Sequence, residues 1–362
     1  MFDSFLLLLK KFNKIFLILI SFLLILTICS CKKKANILIY SEPLKDDIGV
    51  MYVREGRYQD ALDYYTELLN NVVDKEGENN NDSAKIFNNI AEIYIYLGNS
   101  QEALFYLDKA MQINMASKNE LELASNYIQM GKIYIYIGGD ANEGFTYFEK
   151  AEKIYSNYSW QKTLAMSAVY INKGRLYENT GRYDEALESY KKVLKIYNQK
   201  KYNDAMIYIL IGQTYGEKGK YEEADQQYKN AEKLIIEKKD DYLMGKLNVV
   251  RGTLYTNQKK YDNAIIEYES ALKIFQSNDQ YKFYEAKVYN CLGYAYGMNR
   301  DLENAIVYLT KACQIIESES SLTKQLEIDK NDYKQNLRMC YQGLTGDKVD
   351  ENFEEWYQDK MS

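Results

Sequence analysis

The chain has 362 residues, of which 46% are hydrophobic and 27% charged, and its net charge at neutral pH is −6. It contains no histidine, which excludes Ser-His-Asp and Cys-His catalytic groups and histidine-ligated zinc. It also has no basic stripe that could neutralise nucleic-acid phosphates, and its single proline leaves long helices uninterrupted.

The N-terminal segment has the composition of an export signal. Lys10, Lys11 and Lys14 precede an apolar stretch of 14 residues, from Ile15 to Ile28. At 1.5 Å per residue this stretch spans ~21 Å, which is shorter than the ~30 Å hydrocarbon core of a bilayer. A basic flank, a short apolar core and small residues at its end are typical of a secretory signal peptide.

The residues Ile28-Cys29-Ser30-Cys31 resemble a bacterial lipobox. The resemblance implies a lipoprotein signal peptide over residues 1–30, cleavage after Ser30, lipid on Cys31 and a tether over residues 31–41. An uncleaved signal anchor and plain secretion are the alternatives at this point. The interpretation predicts a lipid-anchored protein of the bacterial cell envelope that faces the periplasm.

A pattern of small and aromatic residues repeats through the rest of the chain. A glycine or alanine is followed three residues later by tyrosine seven times: Gly49/Tyr52, Ala91/Tyr94, Gly131/Tyr134, Gly174/Tyr177, Gly212/Tyr215, Gly252/Tyr255 and Gly293/Tyr296. A second small residue stands 12 or 13 residues after the first: Ala61, Ala103, Gly144, Ala186, Ala224, Ala264 and Ala305. A large residue follows four positions later: Tyr65, Leu107, Phe148, Tyr190, Tyr228, Tyr268 and Leu309.

Helix geometry accounts for this pattern. The first small residue allows two helices to approach closely, and the tyrosine three residues later lies on the same face beside the contact. A turn such as Gly181–Tyr183 then joins the two helices into an αα-hairpin. Neither helix can bury its apolar stripe alone, so neighbouring hairpins are expected to stack around a continuous core.

The pattern resembles the tetratricopeptide repeat, whose signature is W-x₂-L-G-x₂-Y followed by A-x₃-F. The segment Gly212-Gln-Thr-Tyr215 followed by GKYEEADQQY is a close match. The resemblance predicts an all-α, right-handed α-solenoid of about seven helical hairpins over residues 42–316. The period of 38–43 residues exceeds the family's usual length, so we expect longer helices or longer turns between repeats.

The polar stretch from Asn71 to Ser83 separates the first repeat from the second. It is predicted to be a long loop that ends in a helix cap at Asp82 or Ser83.

The repeat pattern fades after residue 316. Residues 317–345 are predicted to form a capping helix, helical over residues 321–342 with Gly343 as its stop. Residues 346–362 form an acidic tail with three aromatic side chains at the spacing of a short amphipathic helix: Phe353, Trp356 and Tyr357. The tail either docks on the capping helix or occupies the groove of the solenoid.

Apart from Cys29 and Cys31, the chain has three cysteines, and none is part of a CxxC motif: Cys291, Cys313 and Cys340. A disulfide between Cys313 and Cys340, where the last repeat meets the cap, is one alternative. Buried free thiols are the other.

The repeat region shows no phosphate-binding glycine loop, and its acidic residues lack the spacing of a catalytic or metal-binding pair. No cofactor or metal is expected, and the protein is predicted not to be an enzyme. In the tetratricopeptide repeat family the first helices line a groove that holds a partner peptide or helix. The corresponding positions here are polar and amide-rich: Asn88, Glu92, Tyr96, Gln129, Lys132, Tyr136, Asn172, Arg175, Asn179, Gln213, Glu217, Thr253, Asn257, Asn290 and Tyr294.

This lining suits hydrogen bonds to a peptide backbone, and the alternative for each residue is that it faces water. The sequence therefore predicts a membrane-tethered, non-enzymatic scaffold that binds a partner protein or peptide in its groove. A solute-binding accessory protein of an envelope transport system, with tyrosines as pocket walls, is the alternative function. An enzyme with an unrecognised carboxylate, tyrosine and lysine site is a third.

Overall fold

A computed structural model describes residues 48–158, 162–200, 202–278, 281–318, 324–345 and 350–361. Within these residues the chain forms sixteen helices and no strand. The predicted signal peptide, Cys31 and the tether lie outside the described residues. The helices are α1 (Ile48–Arg54), α2 (Tyr58–Glu76), α3 (Asn81–Tyr96), α4 (Ser100–Ala116), α5 (Glu120–Tyr136), α6 (Ala141–Ser156), α7 (Lys162–Asn179), α8 (Tyr183–Lys200), α9 (Ala205–Glu217), α10 (Tyr221–Lys238), α11 (Asp241–Asn257), α12 (Tyr261–Phe275), α13 (Lys282–Met298), α14 (Leu302–Ser318), α15 (Lys324–Thr345) and α16 (Asp350–Met361).

Helices α1 to α14 pair in chain order as seven hairpins, and each hairpin packs on the next. The first helices also touch one another along the array, as α3 touches α5 and α5 touches α7. This arrangement confirms the predicted all-helical solenoid. Most helices from α3 to α14 have 16–18 residues, so the long period of the repeat lies mainly in the helices.

The predicted close contact within each hairpin is confirmed at its glycines. A methyl group added to Gly212 would lie 2.5 Å from Cε1 of Tyr228, and one added to Gly252 would lie 2.5 Å from Cε1 of Tyr268. Both distances are far below van der Waals contact, so the aromatic ring fills the space that a side chain would need. The second repeat has alanine at the glycine position, and there the large residue is Leu107.

Three of the tyrosines that follow the small residues, Tyr94, Tyr134 and Tyr296, stack on aromatic rings of the second helix in the same hairpin. Ring centroids are 5.7 Å apart for Tyr94 and Tyr106, and 5.4 Å apart for Tyr296 and Tyr308. Both pairs are nearly parallel, with interplanar angles of 9° and 10°. These stacked rings help to hold the two helices of their hairpins together.

The same turn joins the two helices in most hairpins. In the fourth hairpin the amide of Arg182 donates to the carbonyl of Tyr177 at 2.8 Å, across Gly181, whose φ is 74°. In the sixth hairpin the amide of Lys260 donates to Tyr255 at 2.9 Å, and Lys259 occupies the left-handed position with a φ of 61°. The tyrosine that follows the small residue thus also supplies the carbonyl that accepts the hydrogen bond closing the C-terminus of the first helix.

The loop predicted between the first two repeats is wrong in extent. Helix α2 continues to Glu76 and α3 begins at Asn81, so only four residues separate them. The N-cap is Asn80 rather than Asp82 or Ser83, because the Asn80 side chain accepts hydrogen bonds from both of those amides at 2.9 Å. The polar sequence misled the prediction, since an exposed helix end can be as polar as a loop.

The predicted capping helix is present as α15, but it passes through Gly343 and continues to Thr345. A methyl group on Gly343 would lie 3.1 Å from Cδ1 of Leu302, so this glycine permits close packing on α14 instead of ending the helix. The acidic tail forms α16, which contacts α14 and α15. It buries Phe353 and Tyr357, and its Glu354 lies 2.6 Å from Nζ of Lys334.

The three described cysteines are free thiols, so Cys313 and Cys340 do not form the disulfide considered above. Burial raises the pKa of Cys313 to about 12 and that of Cys340 to about 11. Both are therefore protonated at neutral pH and fill space in the packing between the last repeat and the cap.

Among the described residues, no helix is both long and apolar enough to span a bilayer.

The contact between Gly212 and Tyr228 can be tested by adding a methyl group at Gly212. We expect Gly212→Ala to lower the free energy of unfolding by about 1–3 kcal/mol, because its methyl group would collide with the Tyr228 ring. Adding Tyr228→Leu should recover part of this loss, since the second repeat pairs alanine with leucine at these positions. Urea denaturation of both single variants and the double variant measures the coupling. An equal loss with and without Tyr228→Leu would contradict the proposed contact.

Candidate functional site

The predicted groove residues lie mainly at two positions of each first helix: directly after the small residue, and four residues beyond. We call this set the first-helix face. In the second to sixth repeats it comprises Glu92 and Tyr96, Lys132 and Tyr136, Arg175 and Asn179, Gln213 and Glu217, and Thr253 and Asn257. Because successive first helices pack side by side, equivalent positions of neighbouring repeats come together on this face.

The second and third repeats join through a buried ion pair. Nζ of Lys132 lies 2.7 Å from Oε1 of Glu92, and Nε2 of Gln129 donates to Oε2 of Glu92 at 2.9 Å. The hydroxyl of Tyr96 donates to Oε1 of the same carboxylate at 2.8 Å. The Lys132 side chain is only 3% exposed. These three donors are committed to Glu92 inside the protein.

The surroundings of Glu92 favour its charged form. Burial alone would raise the pKa of Glu92, but the Lys132 charge and the hydrogen bonds from Lys132, Tyr96 and Gln129 outweigh burial and lower it below its usual 4.5. A buried carboxylate with a lowered pKa makes a poor general acid or base near neutral pH, and this one is surrounded by its own donors. The cluster therefore behaves as a structural ion pair.

The network continues into the fourth repeat. The rings of Tyr96 and Tyr136 meet edge to face with centroids 5.0 Å apart, and Nη1 of Arg175 donates to the hydroxyl of Tyr136. Asn179, although exposed, donates from Nδ2 to the carbonyl of Ile135 at 2.8 Å. Predicted groove residues of three successive repeats thus contact one another.

The amides among the predicted groove residues are also used internally. Nδ2 of Asn114 donates to Asn126, whose own Nδ2 donates to Oδ1 of Asn88, both at 2.8 Å. Asn172 donates to the carbonyl of Ala168 within its own helix at 2.8 Å. Asn290 accepts a hydrogen bond from Asn336 of α15 at 2.9 Å. Each of the predicted residues Asn88, Asn172 and Asn290 is buried.

The accessible part of the predicted groove lies mainly in the fifth and sixth repeats. Glu217 and Asn257 are exposed, while Gln213 and Thr253 are partly exposed. The Thr253 hydroxyl is 3.0 Å from the Val249 carbonyl and 3.3 Å from the Tyr268 hydroxyl. Tyr294 of the seventh repeat is partly exposed as well. Here the first-helix face presents amide, hydroxyl and carboxylate groups with little net charge.

Several buried polar residues were missed by sequence reasoning. The Thr214 hydroxyl donates to the Glu178 carboxylate at 2.5 Å, which joins the fourth and fifth repeats. Nζ of Lys246 lies 4.3 Å from the ring centroid of Tyr242 and is only 4% exposed. Thr214 and Lys246 occupy none of the first-helix positions that the repeat pattern marked. Their spacing from the small residue carries no common signal.

Within the described part of the chain, no group of three or more cysteine, aspartate or glutamate residues is arranged to hold a metal ion. The chemistry of the first-helix face is hydrogen bonding and charge pairing, which suits recognition and internal organisation.

Models of the tetratricopeptide repeat match the chain over residues 42–116, 122–199 and 165–235. A second tetratricopeptide repeat model matches residues 246–278 and 286–319. The matched segments cover more than half of the chain and overlap all seven hairpins.

Protein KINESIN LIGHT CHAIN-RELATED 3 of Arabidopsis thaliana is 25% identical to the chain over 150 residues, which are 41% of this chain and 23% of that protein. The match therefore spans less than a quarter of the relative.

Two solved structures share the fold. A Rap protein complexed with Competence and Sporulation Factor has a TM-score of 0.59 at 16% identity, covering 78% of this chain and 74% of that one. BtubC (BKLC) from P. vanneervenii has a TM-score of 0.50 at 19% identity, covering 64% and 94%.

Removing one partner of the buried pair should be costly. We expect Lys132→Met to lower the free energy of unfolding by about 3–5 kcal/mol, because Glu92 would remain buried without its counter-charge. The double variant with Glu92→Gln should lose less. Lys229→Met is the control, because Lys229 forms an exposed pair with Asp225, and it should change stability by less than about 1 kcal/mol. Equal losses from the two lysine substitutions would contradict a structural role for the Glu92 pair.

The Glu92 pair also predicts an acid dependence. The folded pKa of Glu92 is lowered, so its stabilisation is fully present above its usual pKa of 4.5 and is lost as the pH falls through the lower folded value. Glu92→Gln should therefore lose less stability than the native chain in this acidic range. Urea denaturation at about pH 7 and about pH 3 measures the difference. Parallel losses in the two proteins would contradict the lowered pKa.

Proposed function

The chain belongs to the tetratricopeptide repeat family, and from this premise we propose that it is a membrane-tethered, non-enzymatic scaffold that binds a partner protein or peptide. The observation that carries the binding proposal is the accessible polar part of the first-helix face in the fifth and sixth repeats. The partner's extended backbone would lie along this surface. It would exchange hydrogen bonds with the side chains of Gln213, Glu217, Thr253 and Asn257.

The contacts within the face support this location. The equivalent positions of the second and third repeats are filled by the Glu92–Lys132 pair and the ring contact between Tyr96 and Tyr136. A partner would have to break these buried interactions to use those side chains, at a high cost in desolvated charge. Glu217 and Asn257 are exposed, so a partner can reach their side chains from the solvent. The similar Rap structure contains a bound factor, which motivates the search for a partner here.

The proposal that the protein is not an enzyme rests on the types of residue that it contains and on the pKa of Glu92. The chain has no histidine, and the pKa of Glu92, which pairs with Lys132, is lowered rather than brought near neutrality. General acid–base catalysis near neutral pH calls for a group whose pKa lies close to the working pH. The lowered pKa of Glu92 therefore favours a structural role for this carboxylate.

The tether is proposed from the N-terminal sequence. Lipid on Cys31 would hold the solenoid at a membrane of the bacterial envelope, on the periplasmic side. More than one acyl chain on the same cysteine gives stable anchoring, because a single chain binds membranes only marginally. Lys32, Lys33 and Lys34 would then lie near anionic headgroups and add a smaller attraction.

Mass spectrometry of the mature N-terminus tests the tether. We expect the chain purified from bacterial membranes to begin at Cys31 with acyl chains attached. Cys31→Ser should prevent lipidation and release the protein from the membrane fraction, while Cys29→Ser should leave both unchanged. An intact segment 1–30 or an unmodified Cys31 in the native chain would refute the lipoprotein proposal.

Cross-linking in cells tests the binding surface. We expect a protein captured by the native chain to be lost from a Glu217→Lys/Asn257→Ala variant, because both substitutions change accessible groups on the first-helix face. The control is Glu222→Lys/Gln226→Ala on α10, which makes the same kinds of change at exposed positions of a second helix. It should retain the capture. Loss from the control as well, or from neither variant, would contradict binding at the fifth and sixth repeats.

A further inference from the structure

The first hairpin touches the seventh. The turn between α1 and α2 contains Gly56, and a methyl group added there would lie 3.2 Å from Cδ1 of Phe283 and 3.7 Å from Cε2 of Tyr284. Both aromatic residues are at the start of α13. In a solenoid each repeat is expected to contact only its neighbours, so repeat stacking does not account for this contact.

The same turn also covers the first-helix face. Tyr58 begins α2, and its ring centroid lies 6.2 Å from that of Tyr96. Tyr96 in turn contacts Tyr136 and donates to Glu92. The turn is therefore placed between the ion-paired part of the first-helix face and the seventh hairpin.

The electrostatic surroundings of Tyr58 agree with this position. Burial, followed by the nearby Tyr284, Tyr136 and Asp329 oxygens, raises the pKa of Tyr58 well above its usual value. These neighbours come from the seventh hairpin, the third hairpin and α15. A tyrosine confined to its own hairpin would not be surrounded by groups from three distant elements.

Phe283 and Tyr284, which Gly56 contacts on α13, are themselves held by neighbouring side chains. Nζ of Lys287 lies 4.2 Å from the Phe283 ring centroid and 3.7 Å from Oδ2 of Asp329. The Tyr284 hydroxyl accepts a hydrogen bond from Tyr242 at 2.7 Å. Phe283 and Tyr284 are thus held in place, and Gly56 provides a surface without a side chain against which they pack.

We propose that Gly56, Tyr58, Phe283 and Tyr284 form an intramolecular clasp that joins the first hairpin to the seventh and closes the ion-paired part of the first-helix face. Its residues lie in the turn between α1 and α2 and at the starts of α2 and α13. A partner that extends from the fifth and sixth repeats toward Tyr96 would have to displace Tyr58. This consequence for access rests on the proposed function, whereas the contact itself does not.

Photo-cross-linking of the full chain tests whether the clasp forms. A p-benzoylphenylalanine side chain in place of Phe283 should cross-link to the peptide that contains residues 55–58, as mapped by mass spectrometry. The control places the same group at Phe105, which is half exposed on α4, and should give no link to residues 55–58. Cross-links from position 283 only to its own and adjacent hairpins would overturn the proposal.

Hydroxyl-radical footprinting tests whether the aromatic contact holds the clasp closed. Phe283→Glu should raise the oxidation of Tyr58 and Tyr96 several-fold, and Tyr58→Ala should do the same for Tyr284, with helicity retained by circular dichroism. Phe105→Glu should leave all three unchanged. Unchanged oxidation in both folded clasp variants would overturn the proposal. If Phe283→Glu fails to fold, Tyr58→Ala and the cross-link decide the matter. Neither measurement involves a partner, so their failure leaves the binding proposal standing.

Discussion

The close approach of two helices at a residue without a bulky side chain is the contact on which the rest of this structure depends. The ring of Tyr228 occupies the space that a side chain at Gly212 would need, and the same pairing recurs at Gly252 and Tyr268. Because each hairpin is fixed by this contact, its first helix presents the same two positions to its neighbours. The first-helix face follows from the repetition of one packing interaction along the chain.

The sequence was sufficient to predict the hairpins because their signal is geometric and occurs seven times. Helix ends were harder, because they depend on single hydrogen bonds. The polar run before α3 looked like a loop, yet the Asn80 side chain caps a helix that starts earlier than predicted. Gly343 looked like a stop, yet it lies inside α15 where Leu302 approaches it. In both places the local residue types were compatible with two structures. A local hydrogen bond decided between them at Asn80, and a contact from another helix decided at Gly343.

In the candidate site, too, the sequence predicted some features and not others. Sequence spacing placed Glu92 and Lys132 at equivalent positions of neighbouring repeats, and the structure brings them together. Their exposure could not be predicted, because it depends on whether the adjacent repeat supplies a partner of opposite charge. Glu217 has the same position within its repeat as Tyr96, yet Glu217 is exposed and Tyr96 is buried. Position in the repeat determines the direction of a side chain, and the neighbouring residues determine whether it is available for binding.

Helix α16 bears on whether copies of the protein stack end to end. Every hairpin offers its outer side to the next one, so an uncovered last hairpin would present an apolar side suited to stacking against another molecule. Here Phe353 and Tyr357 are buried where α16 meets α14 and α15, and Glu354 pairs with Lys334 and Arg338. Together, α15 and α16 cover the outer side of the seventh hairpin. Without this cover, the interaction that builds the solenoid would also favour end-to-end polymerisation.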